Sequence, residues 1–193
     1  MKAIILSIQS KWVAKILNNE KTIEVRKSCP KETHFKVYIY CTKGAELWSE
    51  PKSDDGYNVY GNKLNGKVVA SFICDRVTNI HCFEDTNDTN IYSPAACLTD
   101  AKICEYLNYK NGYALHISDL KIFEPKELGG FRTICKHYDP YYMISACSDS
   151  DCPYLQIKYI GRGDNRKEMW CDCKGKKPIT RPPQSWQYCE ELI

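Results

Sequence analysis

A chain of 193 residues is long enough for one domain with a proper core, and 26% charged with 43% hydrophobic residues is ordinary for a soluble globular protein. The net charge of +3 permits a polyanionic partner without demanding one, so local patches must decide. No apolar run approaches the roughly 18–20 residues that a helix needs to cross a bilayer. The apolar stretch within Met1–Ile8 is too short for a secretory core region and no small-residue cleavage site follows it, so it reads as a first strand and the protein as cytoplasmic. Twelve cysteines are the outlier. Without an export signal they read as unpaired thiols in a reducing compartment, several of them serving as small core hydrophobes.

In chain order, Ala3–Ile8 is a strand, and Ser10 caps a helix over about 11–17 whose Trp12, Val13, Ile16 and Leu17 share one apolar face. After a turn at Asn18-Asn19 comes the strand Thr22–Arg26. Its alternation sends Ile23 and Val25 to a core and Thr22, Glu24 and Arg26 to the other face, with Lys21 at its mouth. Phe35–Cys41 is a strand rich in aromatic and β-branched residues. Residues 48–65 read as a loop, 66–75 as an interior strand, and 81–94 as turn-rich. Thr99 or Asp100 caps a helix over about 101–107, and Tyr113–Phe123 is a further strand. Residues 124–128 read as a helical turn stopped by Gly129-Gly130, residues 131–183 as irregular, and 184–189 as a final strand. Strands joined by short turns, with two helices between, predict a small and mostly antiparallel β-barrel.

Three groups of residues carry chemistry. Lys21, Glu24 and Arg26 place two cations and a carboxylate on one short edge. Glu24 either pairs with Lys21, or takes Arg26 through both oxygens and leaves the Lys21 amine free to act with Glu24 in catalysis. A solvated strand face with surface ion pairs is the plain alternative. Second, Cys147, Cys152, Cys171 and Cys173 offer four thiolates from two knuckles, a set that suits a tetrahedral structural zinc; loop cysteines without metal are the other reading. Third, residues 158–181 form a basic stretch with aromatics, among them Lys158, Tyr159, Lys167 and Trp170, which suits phosphates and unstacked bases; a solvated loop with lysines for solubility is the other reading. Trp186 and Tyr188 on the last strand are expected either to stack on a base or to belong to the core. The four histidines show no triad spacing, and no Gly-rich phosphate loop is present.

Lys21-Thr22-Ile23-Glu24-Val25-Arg26 resembles the Gly-x-Lys-x-x-x-x-Arg signature of the ASCH domain, a branch of the PUA-like superfamily. Lys21 and Arg26 match its cation positions, and Asn19 stands at the Gly position. Ser7–Trp12, Gly66–Ala70, Asn111–Leu115 and Pro182–Trp186 resemble segments of the same family. The likeness covers about residues 1–130 and 178–190 and leaves a Cys-rich, basic insert at about 132–178. It implies an α+β, mostly β, PUA-like barrel with two or three flanking helices, forming one domain over 1–193. Relatives read RNA or modified bases in a cleft at one mouth of the barrel. One small bacterial relative hydrolyses the acetyl amide of acetylated cytidine with a Lys, a Thr and a Glu. Lys21 matches that Lys, Glu24 stands at the Thr position, and Glu84 and Asp85 are loose counterparts of the third. Other relatives have ribonuclease activity, and one is a transcription coactivator module. The resemblance therefore implies RNA or nucleotide-like ligand binding by Lys21, Thr22, Glu24, Arg26, Trp186 and Tyr188, in transcription or translation control. The alternatives are amidohydrolysis of acylated nucleosides or nuclease action by Lys21 and Glu24, and a protein-interaction module.

Overall fold

The apolar run Ala3–Ile8 forms β1, and all six of its residues are buried. A strand buried on both faces must be covered on both. Its odd and even residues accordingly enter two different cores. Ile4, Leu6 and Ile8 join Val37, Ile39, Phe72 and the helix residues Val13 and Ile16. Ala3 and Ile5 instead join Tyr38, Tyr40, Phe131 and Ile179. The computed structural model describes residues 2–44, 64–82, 92–134, 155–159, 167–171 and 176–190, of which 134, 155–159 and 167–171 are described through their backbone.

The elements following β1 are α1 (Ser10–Leu17), β2 (Ile23–Arg26), β3 (Phe35–Cys41), β4 (Lys67–Cys74), β5 (Val77–Ile80), α2 (Ser93–Ala96), α3 (Asp100–Leu107), β6 (Gly112–His116) and β7 (Ser118–Glu127). A 3₁₀ turn at Leu128–Gly130 leads to β8 (Arg132–Ile134), β9 (Leu155–Tyr159), β10 (Lys167–Cys171), β11 (Lys176–Pro178) and β12 (Trp186–Cys189). The larger sheet has the order β12-β1-β3-β4-β7, and a three-stranded sheet has the order β2-β6-β5. Strands β1 and β3 pair in parallel, with α1 and β2 on the connection between them. The small sheet packs one face on the first core through Leu115. Its other face, through Val25, Ile80 and Ala114, meets Ala96, Ile103 and Leu107 of α2 and α3 in a third core.

The α+β, mostly β class stands. Among the described residues no ladder joins the two sheets into a closed barrel. Gln9, extended at φ −65° and ψ 145°, caps α1 in place of Ser10, and its side chain makes no capping bond. Thr99 caps α3, its hydroxyl accepting from the Lys102 amide at 3.4 Å.

Three stretches depart from the pattern reading. The segment 113–123 is divided between two sheets, as β6 and β7, with the chain bending near Asp119 at φ +45°. Residues 124–127 extend β7 rather than forming a helical turn. Pro125 is tolerated there because β7 is an edge strand and its register with β4 breaks between Ile122 and Lys126, so no paired position is lost. Four short strands lie within the expected irregular region 131–183. Lys176, Lys177 and Pro178 of β11 pair with Ile134, Thr133 and Arg132 of β8, which brings the two ends of the Cys-rich stretch side by side. Strands β9 and β10 form an antiparallel pair.

Candidate functional site

The site begins at the end of α1. Asn19 takes a left-handed backbone at φ +57°, a conformation Asn accepts more readily than most residues. The turn directs the amides of Glu20 and Lys21 back onto the Lys15 carbonyl, at 2.9 and 3.0 Å. Just before β2, the Thr22 amide donates to the Ala95 carbonyl of α2 at 2.9 Å. Asn19 therefore makes this turn without a glycine, and it aims Lys21 beneath α2.

Alternation along β2 separates its two faces. Directly opposed residues of an antiparallel pair share a face. Val25 opposes Ala114 and joins the third core, while Glu24 opposes Leu115 and Arg26 opposes Tyr113, both packed in the first. Glu24 and Arg26 thus point into the space between the two sheets, and that space accounts for their burial. Lys21 is 2% exposed, Glu24 6% and Arg26 8%.

These three side chains form one ion network. Glu24 Oε1 lies 3.0 Å from Arg26 Nη2, and its Oε2 lies 3.3 Å from Lys21 Nζ. Arg26 Nη2 also donates to the Ser7 carbonyl at 2.7 Å. Lys21 Nζ donates to the Ala96 carbonyl at 2.7 Å, among the free carbonyls that end α2, and sits 5.3 Å from the centre of the Trp12 ring. Glu24 Oε2 and Arg26 Nε are buried without a hydrogen-bond partner, so the Lys21–Glu24 contact is an ion pair without hydrogen-bond geometry. Neither arrangement open to the sequence is the one observed: Glu24 divides its two oxygens between the two cations.

The network lines a cleft of about 800 Å³, alongside Trp12, Tyr40, Tyr106 and the exposed Lys43. Pro182, Pro183 and Gln184 form part of its wall. Ser7 fixes that wall, because its hydroxyl donates to the Pro183 carbonyl at 2.7 Å and its amide to the Ser185 carbonyl at 2.9 Å. The segments 7–12, 21–26 and 182–184, far apart in sequence, therefore meet at one cleft. A cavity of this size falls in the roughly 300–1,000 Å³ range of small-molecule sites.

Among the residues expected at the site, Lys21, Glu24 and Arg26 come together and line the cleft. Thr22 precedes β2, is exposed, and is not among the lining residues. Trp186 and Tyr188 do not line the cleft either. Their rings meet edge to face at 5.4 Å, Trp186 Nε1 donates to Ser28, and Tyr188 donates its hydroxyl to Glu32 at 2.5 Å. Lys2 also pairs with Glu32, and these two bonds hold the Glu32 carboxyl down to about 2. The two rings pack against the first core, as the second of the two readings expected. Cys147, Cys152, Cys173, Glu84 and Asp85 lie outside the described residues, and Cys171 is described only as backbone in β10. Lys158, Tyr159, Lys167 and Trp170 fall on β9 and β10, likewise described through their backbone.

Sequence reasoning missed Trp12, Tyr40 and Tyr106 as cleft residues. Trp12 carried the apolar-face signal of a core residue. Tyr106 and Tyr40 reach the cleft from α3 and from the interior strand β3, and no local spacing relates them to Lys21.

No family model and no curated protein matches the chain. Among solved structures it is similar to the ASCH protein of Zymomonas mobilis, with a TM-score of 0.49 at 16% identity, covering 66% of this chain and 74% of that one. Two single-substitution variants of that protein give 0.49 at 15% and 16% identity, covering 66% of this chain and 77% and 75% of theirs.

Proposed function

We propose that the cleft binds RNA or a nucleotide-like ligand. The observation that carries this reading is the buried Lys21–Glu24–Arg26 network lining a cleft that also presents aromatic side chains. Two cations against one carboxylate leave the network with one formal positive charge, which favours a ligand bearing phosphate. Trp12 and Tyr106 supply π-faces of the kind on which an unstacked base rests. The exposed Lys43 adds a second point for phosphate. The same ligand class follows from the resemblance of residues 21–26 to the ASCH signature.

The test is binding of labelled RNA and single-stranded DNA across a salt series. Wild type is set beside Lys43→Ala, which is exposed, and beside a Lys21→Ala/Arg26→Ala double variant checked for folding by circular dichroism. Binding that falls with salt and weakens in both variants supports the reading. No binding to either polymer or to mononucleotides at low salt refutes it.

One feature favours an amidohydrolase as a second reading. Glu24 Oε2 is buried at the cleft, 3.3 Å from Lys21 Nζ and free of hydrogen bonds, as a proton acceptor beside an amine would be. On that reading Lys21 and Glu24 hydrolyse the acyl amide of an acylated nucleoside, water supplying the oxygen of the released acid and the proton of the freed amine. Release of acetate from acetylated cytidine, lost in Lys21→Ala, would establish it; no release by the folded wild type would end it.

A further inference from the structure

Helix α3 ends in an exposed aromatic and basic corner that the cleft itself does not use. Asn108 and Tyr109 both take left-handed backbone, at φ +57° and +55°. Asn accepts that region, but an aromatic residue there is strained. The strained residue is not held by burial: Tyr109 is 69% exposed, the most exposed of the large hydrophobic side chains among the described residues. Tyr106, one turn earlier, is 40% exposed and lines the cleft. Lys27, just past the end of β2, joins the two sites. Its Nζ sits 5.3 Å from the centre of the Tyr106 ring and 3.2 Å from Asn108 Oδ1. Lys110 is exposed next to Tyr109, and Glu105 is the acid nearby in sequence.

We propose that this corner is a strand-extension subsite, where a single-stranded polynucleotide leaving the cleft stacks a base on Tyr109 and sets a phosphate against Lys27 or Lys110. The proposal rests on the nucleotide-binding reading of the cleft, with which the corner is continuous through Tyr106. Successive bases on aromatic side chains, with cations following the backbone, is how single strands are held without sequence preference. The chemistry is shared by RNA and single-stranded DNA. The left-handed backbone serves the turn out of α3, where the Tyr109 amide donates to the Cys104 carbonyl at 2.9 Å, while the ring itself stays exposed and is a ready platform for a base.

The experiment measures anisotropy with a labelled uridine oligomer of about eight nucleotides and its deoxythymidine counterpart, and measures uridine monophosphate by competition. Wild type is compared with Tyr109→Ala and Lys27→Ala, both exposed positions, with melting curves as a folding control. The expected result is tighter binding of the oligomer than of the monophosphate. Tyr109→Ala should weaken the oligomer about 5- to 100-fold and leave the monophosphate unchanged. Lys27→Ala should reduce the steepness of log affinity against log salt by about 0.7. Equal losses with both oligomers identify the shared chemistry, and a loss confined to one names its source. Oligomer binding that is unchanged in both variants, or no tighter than the monophosphate in wild type, overturns the subsite while the cleft reading stands. Failure of both ligands to bind wild type removes the cleft reading and the subsite with it.

Discussion

Replacing Glu24 with Gln tests whether the buried network is one electrostatic unit. Gln keeps the shape and one acceptor oxygen but removes the charge shared by Lys21 at 3.3 Å and Arg26 at 3.0 Å. Each contact carries a gross Coulomb energy of about 5 kcal/mol at an effective dielectric near 20. Most of that is offset by the desolvation the charges already bear, and removing one partner of a buried pair typically costs about 3–5 kcal/mol. One side of this network borders the cleft, so the lower end applies: about 3 kcal/mol, or a melting point lower by about 6–12 °C for a chain of this size. Urea denaturation of wild type, Glu24→Gln, Lys21→Met and the double variant measures both the loss and its coupling. The double variant should lose less than the two single losses summed, because the second change removes a cation the first has stranded. A Glu24→Gln protein within about 1 kcal/mol of wild type would refute the reasoning, since water would then be solvating all three charges.

Three further outcomes follow from local geometry. Asn19→Val forces a β-branched residue to φ +57° and should destabilise by about 1–2 kcal/mol, whereas Asn19→Gly should be neutral or slightly stabilising; equal melting points for the two would contradict the left-handed turn. Gly112→Ala would set a Cβ 2.4 Å from Leu107 Cδ2 and 3.1 Å from the Arg26 carbonyl, costing about 1–3 kcal/mol and moving the Arg26 backbone; pairing it with Leu107→Ala should restore ligand affinity in part, and strictly additive losses would argue against the clash. Burial pushes the Cys41 and Cys74 thiols up to about 12, so the unfolded chain releases these protons first and the stability they contribute, complete below about pH 9, is lost as pH rises toward 12. That is about 1 kcal/mol per thiol at pH 10, and a Cys41→Ala/Cys74→Ala protein should lose correspondingly less stability between pH 8 and 10 in urea titrations; parallel losses would assign the effect elsewhere.

Much of the scaffold was legible because its signals are local. The run 3–8, apolar but for Ser7, and the aromatic, β-branched run 35–41 are strands over the bounds expected, and Thr99 caps α3. Misreadings fell where the deciding contact lies far off in sequence. The bend that divides 113–123 between two sheets leaves hydrophobic content unchanged, so period and composition could not show it. Pro125 reads as a helix or turn signal unless the strand around it is known to lie at a sheet edge. For Trp186 and Tyr188, whose aromatic character left both stacking and core open rather than misread, only the placement of Ser28 and Glu32 gives their polar atoms structural bonds.

The sequence by itself determined which side of β2 carries charge, because alternation in an extended chain is a property of the backbone. It also determined that Asn19 could make the turn that brings Lys21 to the strand's mouth. Whether the charged side met water or protein was not its to decide, since a solvated face and a buried one have the same period. That depended on β1, α2 and the 182–184 segment closing over β2. Their carbonyls at Ser7 and Ala96 anchor Arg26 and Lys21, leaving Glu24 between two buried cations beside an open cleft.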